Sequence, residues 1–267
     1  SNEAPRLIRI FSFTTNCVDR IGHHSLISSD DPPGATSGIG LETARHLAAK
    51  KNKLIIIGRS QEKLDLLAND IGGEHLSFCC DFNSTGEIAP GLSEFLKSNN
   101  ALVNKVIHCA GVDQTLPAKS LNAHLIEDLM RVNFYSIVEI LSVLLKHSIN
   151  KSSLSNIIFV SSICAIRGFK AKGAYSVSKA ALDSYMKVLS KELAPNTVVN
   201  SILPGAVPTP MSRNVFVNPK IVKHFEDIYP LGIGSVEKVV ALIALYHDLD
   251  GSWVTGQQIV VDGGVSV

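Results

Sequence analysis

The sequence predicts an α/β fold, a three-layer domain around a doubly wound parallel sheet, and three observations carry that expectation. From Lys53 onward, short β-rich apolar runs alternate with longer helical patterns. Those runs are continuous rather than alternating, as expected of strands covered on both faces. Five of them close on small or polar residues: Gly58-Arg59, Asp81, Ala110-Gly111, Ser161-Ser162 and Pro204-Gly205. In an open parallel sheet such strand ends gather around the ligand.

Taken in order, KLIIIG reads as a strand followed by a helix near 60–71, and HLSFCC as a strand before a helix near 84–98. NKVIHCAG leads into a helix near 122–147, and NIIFVSS into one from about 173 to 194. TVVNSIL is the next strand, followed by a polar, proline-containing segment at 206–230, a helix near 235–247 and QQIVVDGG. No internal repeat or low-complexity linker interrupts the series, so residues 34–267 are expected to form one domain behind an atypical N-terminal segment, 1–33.

A chain of 267 residues with 45% hydrophobic and 18% charged side chains can bury one sizeable core without disulfides or metal. Its formal net charge of +1 provides no excess to attract nucleic acid or an anionic membrane. Five cysteines (Cys17, Cys79, Cys80, Cys109, Cys164) show no C-x-x-C spacing, which argues against a zinc site or a secreted disulfide framework. The apolar stretches are too short to span a bilayer, and LIRIFSF lacks the length and cleavage pattern of a signal peptide. The expectation is a cytoplasmic protein with no metal.

GATSGIG at 34–40, followed by the helical run LETARHLAAK, has the composition of a loop whose backbone amides approach an anion at a helix start. Its lead-in is anomalous. SSDDPP precedes it, and Asp30, Asp31, Pro32 and Pro33 do not belong in a central strand. The upstream strand candidate is RLIRIFSF at 6–13, which requires some twenty residues of loop before Gly34. Two readings compete: residues 6–13 fill the central position after a long excursion, or the first thirty-odd residues lie outside the functional fold, through a shifted frame or an alternative exon. The second is preferred, and it predicts a gap in the sheet beside the glycine loop.

Arg59 stands directly after the second strand, where its guanidinium can pair with a 2′-phosphate on an adenosine ribose. The alternative reading is a solvated surface arginine at a strand end. Asp81 can accept a hydrogen bond from an adenine amino group, or simply cap a helix. YSVSK carries Tyr175 and Lys179 at i, i+4, on one helix face. An ammonium beside a phenol favours the phenolate and brings it toward acid–base use. Ser162 lies thirteen residues upstream of Tyr175, and Asn133 in the preceding helix.

GATSGIG, HCAG, MRVNF, FVSS, YSVSK, PGAVPTPM and TGQQIVVDGG occur in the order seen in the short-chain dehydrogenase/reductase family, over about residues 34–264. The chain resembles the short single-domain branch of that family, in general appearance the 3-oxoacyl carrier-protein reductases, although it shows no basic patch for an acidic carrier protein. The resemblance implies a Rossmann-type fold and an oxidoreductase that interconverts a carbonyl and a secondary alcohol of a small molecule. Its expected cofactor is NADP(H), preferred over NAD(H) because of Arg59.

The implied catalytic residues are Tyr175 as general acid–base, Lys179 lowering its pKa and holding the nicotinamide ribose, Ser162 orienting the carbonyl (Ser161 being the less well-spaced candidate), and Asn133 keeping a water in the proton relay. The expected cofactor-binding set is Gly34, Ser37, Gly38, Ile39, Gly40, Arg59, Asp81, Phe82, Cys109, Ala110, Gly111, Tyr175, Lys179, Pro204, Gly205 and Thr209. His108 and Cys109 stand where the family more often has asparagines. The segment 206–230 can close as a lid, with Met211, Val215, Phe216, Val217, Ile221 and Phe225 forming either an apolar wall or, at helical spacing, core contacts. The long helices and last strand resemble the family's faces for a homodimer or homotetramer. The alternative is a non-catalytic nucleotide-binding protein disabled by a missing first strand. A nucleotide-sugar epimerase fits the spacing of the glycine loop poorly.

Overall fold

A computed structural model describes residues 6–12 and 38–267 of the chain. Seven strands alternate with helices: β1 (Arg6–Ser12), α1 (Ile39–Ala49), β2 (Leu54–Gly58), α2 (Gln61–Ile71), β3 (Leu76–Cys79), α3 (Ile88–Ser98) and β4 (Ala101–His108) form the first half. The second half contains α4 (Ala123–Met130), α5 (Ser136–Leu144), α6 (His147–Asn150), β5 (Asn156–Val160), α7 (Gly173–Glu192), β6 (Val198–Pro204), α8 (Arg213–Phe216), α9 (Pro219–Ile228), α10 (Val236–His247) and β7 (Gln258–Val261). All pairings are parallel, in the order β3-β2-β1-β4-β5-β6-β7. This is the Rossmann-type arrangement, with the strand order reversing between β1 and β4.

The expected gap in the sheet is not there. Arg6–Ser12 occupies the central position, with Arg9 to Ser12 registered on Leu54 to Ile57 of β2, and Arg6 and Ser12 opposite Ala101 and His108 of β4. The register shifts between Ile8 and Arg9. Two strands that each expose a row of backbone donors and acceptors must pair with something, and RLIRIFS offers the apolar, β-prone run that can do so. The preferred reading of the N-terminal segment is therefore corrected in favour of its rival, and the missing strand no longer supports a non-catalytic protein. Residues 13–37, including Pro33, lie outside the described residues.

Continuous apolar strands arise because both faces are covered. Ile55 and Ile57 of β2 point into a cluster with Leu92 and Leu96 of α3, Ile140 and Leu141 of α5, and Leu182 and Met186 of α7. Leu54 and Ile56, one residue out of phase, enter the opposite cluster with Leu41 and Leu47 of α1, Leu64 and Leu67 of α2, and Val239 and Ile243 of α10. The same alternation separates Val106 from Ile107 and Ile157 from Ile158. Burying such residues on both faces contributes roughly 1.5–3 kcal/mol per large side chain. Among the described residues, no helix is long and apolar enough to cross a membrane.

Two local features differ from the expected elements. The stretch read as one helix near 122–147 is broken at residues 131–135 by a π turn between α4 and α5. The segment 206–230, read as irregular, carries α8 and α9; Asn218 caps α9 by accepting from Lys220 N, with Pro219 at its first position.

Candidate active site

The carboxyl ends of the strands surround a cavity of about 390 Å³. One wall is the start of α1: Gly38, at φ 81, then Ile39 and Gly40. A positive φ at this turn suits glycine, and the first amides of α1 beyond it have no partner within the helix. The floor is built from the ends of β4, β5 and β6, and the outer wall from α8 and α9. Gly205 belongs there by close approach: a Cβ would lie 2.9 Å from Asp262 and 3.1 Å from the Tyr229 ring.

At the end of β5, successive serines point to different partners, as strand geometry requires. Ser161 is turned toward α7, its Oγ 3.4 Å from Lys179 O. Ser162 accepts from Cys164 N at 3.2 Å and hydrogen-bonds the Tyr175 hydroxyl. Spacing alone left both open, and the structure pairs Ser162 with the phenol. Tyr175 and Lys179 sit one turn apart on α7, with Lys179 Nζ 5.9 Å from the Tyr175 ring centroid. Lys179 is buried and donates to Val160 O at 2.9 Å.

Burial raises the Tyr175 pKa above its ordinary value, the Asp113 carboxylate and the Cys164 thiol add to that, and the Ser162 hydrogen bond opposes it. The phenol is thus held protonated at neutral pH. Burial also pulls the Lys179 ammonium down to about 8, against the opposing pull of Asp183. His108 is depressed to about 3 by burial and by Lys179, which makes it a neutral packed side chain. Burial pushes the Cys109 thiol up to about 12.

Asn133 lies in the π turn and is fully buried. The extra residue in that turn rotates its amide inward, the usual use of such a bulge. Its Oδ1 accepts from Val112 N at 2.7 Å, while Nδ2 donates to Val112 O at 3.0 Å and to Ser178 Oγ at 2.8 Å. Asn133 therefore fastens the loop after β4 to α7, three residues from Tyr175.

Of the expected cofactor-binding residues, Gly38, Ile39, Gly40, Cys109, Gly111, Tyr175, Lys179, Pro204, Gly205 and Thr209 line the cavity. Arg59 follows β2 outside that lining, and Asp81 accepts from Asn83 N and Nδ2, both at 3.0 Å, in a turn of its own. Phe82 and Ala110 are core residues. Gly34 and Ser37 lie outside the described residues. Met211, Val215, Phe216 and Phe225 line the cavity as expected of an apolar wall, whereas Val217 and Ile221 do not.

Among the cavity residues that sequence reasoning missed are Lys172, Asp113 and Tyr229. Lys172 is paired with Asp113 and donates to Thr115 Oγ1 at 2.7 Å. Tyr229 accepts from Ala206 N at 2.8 Å and holds the loop after β6. The signals were a lysine three residues before Tyr175 and an acid two residues after Gly111, neither of which has a meaning until the two loops meet.

A family profile described as enoyl-(acyl carrier protein) reductase matches residues 34–266. The chain belongs to the short-chain dehydrogenase/reductase family. This short-chain dehydrogenase/reductase is 31% identical over 243 residues to human dehydrogenase/reductase SDR family member 2, mitochondrial, covering 86% of this chain and 83% of that protein. It is 29% identical over 235 residues to bovine 3-oxoacyl-[acyl-carrier-protein] reductase, covering 88% and 96%. Bovine L-xylulose reductase is 28% identical over 236 residues, covering 86% and 93%. Among solved structures, a short-chain type dehydrogenase/reductase from Mycobacterium ulcerans has a TM-score of 0.79 at 24% identity, covering 97% of this chain and 90% of that one. A 4-hydroxyisoleucine dehydrogenase complexed with NADH has a TM-score of 0.80 at 21% identity, covering 97% and 98%; both likenesses concern the fold. The family is one of oxidoreductases, which places this chain in the dehydrogenase/reductase class.

Proposed function

We propose that the chain is an NADP(H)-dependent oxidoreductase that interconverts a carbonyl and a secondary alcohol, with Tyr175 as general acid–base. The observation carrying this reading is that Ser162, Tyr175 and Lys179 share one cavity with the start of α1 and the Pro204-Gly205 loop.

The residues present fit a nicotinamide dinucleotide. Gly38 and Gly40 leave room for close approach to the amide end of α1, which favours a pyrophosphate. Gly205, which lines the same cavity, packs so closely on Asp262 that it has no room for a side chain. Pro204, Gly205 and Thr209 would face the nicotinamide carboxamide, and Lys179 would hold its ribose. Arg59, after β2, supports NADP(H) over NAD(H) through a 2′-phosphate. When bound, this group supplies or accepts the hydride.

The protein's part is proton transfer and orientation. A carbonyl oxygen between Tyr175 and Ser162 meets two hydroxyl donors as negative charge develops on it. Tyr175, kept neutral by burial, gives its proton to the nascent alkoxide and takes one back in the oxidative direction. Asn133 keeps α7 and the loop after β4 in fixed relation, and the outer apolar wall excludes water from the reacting atoms. The substrate is a small carbonyl or alcohol compound. The reading includes a cytoplasmic homo-oligomer, dimer or tetramer, supported by exposed Tyr135, Val177 and Val188 on the helices that would meet a partner.

Calorimetric titration with NADPH and with NADH, followed by a carbonyl panel with wild type and Tyr175→Phe, tests it. Tighter NADPH binding near one per chain, with turnover abolished by Tyr175→Phe and binding retained, is the expected result. No binding of either nucleotide to folded protein, or full turnover in the variant, overturns it.

A further inference from the structure

The catalytic phenol has a second cation beside it. Lys172, three residues before Tyr175, brings its Nζ to 6.0 Å from the ring centroid, nearly the same distance as Lys179 at 5.9 Å. Unlike Lys179, Lys172 is held by an acid: Asp113 pairs with it directly, and Thr115 Oγ1 accepts from it at 2.7 Å. The Lys172 and Asp113 side chains are only 19% and 22% exposed, so the pair is largely withdrawn from water. The loops carrying them are joined as well, since Leu116 N donates to Ala171 O at 2.8 Å. All these groups come together at the cavity, where Lys172 and Asp113 both form part of the lining.

We propose that Lys172 and Asp113 are positioning residues for the reaction at Tyr175, with opposite effects: the carboxylate resists negative charge on the phenol, and the ammonium pinned to it cancels that resistance. The inference rests on the reading of Tyr175 as the acid–base.

Charges within about 6 Å in a partly desolvated site shift a neighbouring acid by about one pH unit or more. Asp113 stands first among the charges that disfavour the Tyr175 phenolate. The other groups facing the ring are Ser162 and Cys164 from the end of β5 and Lys179 from α7; Cys109, at the end of β4, faces Lys179. None of them is neutralised by Lys172 as Asp113 is. Removing Lys172 therefore leaves an uncompensated carboxylate at the phenol, and removing the charge of Asp113 leaves an uncompensated ammonium. An ion pair that merely held the loops together would be damaged alike by either change.

The test places a fluorinated tyrosine, whose phenol titrates in an accessible range, at position 175 and follows its fluorine NMR shift against pH without nucleotide or substrate. Lys172→Met is expected to move the midpoint up by about one pH unit, Asp113→Asn to move it down, and Lys172→Arg to leave it near wild type. Movement of Lys172→Met and Asp113→Asn in the same direction, or of neither, overturns the proposal. Circular dichroism identifies a variant that has lost its fold; Lys172→Arg and Asp113→Asn then decide alone, and a midpoint that does not fall in Asp113→Asn is sufficient to overturn it. Titration as expected in a protein that turns over no carbonyl sinks the oxidoreductase reading, and with it the role in a reaction, while the opposed effects of Lys172 and Asp113 on the phenol stand.

Discussion

Lys179 Nζ donates to the backbone carbonyl of Val160 at 2.9 Å, so a buried charged donor ties the helix bearing Tyr175 to the end of the strand that leads into Ser162. The two hydroxyls proposed to meet the carbonyl oxygen are thus held in register by a residue that is itself under electrostatic stress.

That stress has a measurable sign. The Lys179 ammonium titrates at about 8 in the fold, below its ordinary 10.5. Between those values the unfolded chain binds more protons at this site than the folded one, so the site's contribution to stability rises with pH across that window. Urea unfolding of wild type and Lys179→Met at a series of pH values should show wild type gaining relative to the variant from about pH 8 toward 10.5. A difference that stays constant over this range would refute the assignment.

Asn133→Ala removes one acceptor and two donated hydrogen bonds made by a fully buried side chain, leaving Val112 N–H, Val112 C=O and Ser178 Oγ short of a partner. The expected loss is about 3 kcal/mol, read from the urea midpoint at unchanged slope. Turnover should fall as well, because α7 and the loop after β4 lose their shared fastening.

Gly205→Ala forces a methyl group to 2.9 Å from Asp262. Backbone and Tyr229 must both shift, at a cost of about 2 kcal/mol. Differential scanning calorimetry should show a lowered Tm, and NADPH affinity should drop roughly tenfold or more if the loop faces the nucleotide as proposed.

Tyr229→Phe keeps the aromatic contact with Phe225, whose centroid lies 5.8 Å away, but removes the acceptor for Ala206 N–H. A stability change of only about 1 kcal/mol should accompany a severalfold rise in KM with kcat nearly unchanged. Equal losses in kcat and kcat/KM would mean that Tyr229 acts in the transition state rather than on the loop.

The parallel sheet was readable because its strands are buried on both faces, and a run such as LIII needs no tertiary knowledge to be interpreted. The Tyr175–Lys179 spacing was equally local. What escaped was set by distant pairings. RLIRIFS reads as an isolated apolar run, and only the open edges of β2 and β4 reveal where it belongs. The π turn at 131–135 has no compositional mark, since RVNFY would continue an ordinary helix; it is the inward pull of Val112 and Ser178 on Asn133 that the structure adds. Lys172 and Asp113 stand 59 residues apart, beyond any spacing rule.

The placement of Arg6–Ser12 also governs how this chain must assemble. The strand first in sequence is the one that joins the two halves of the sheet, and Arg6 finds its partner only at Ala101. Neither β2 nor β4 can finish its ladder from nearby residues, so closure waits on a contact of high sequence separation, the kind that slows folding. Until that strand docks, β3-β2 and β4-β5-β6-β7 are two partial sheets with facing open edges, and those edges are where a nascent chain would recruit a chaperone or pair wrongly with another copy.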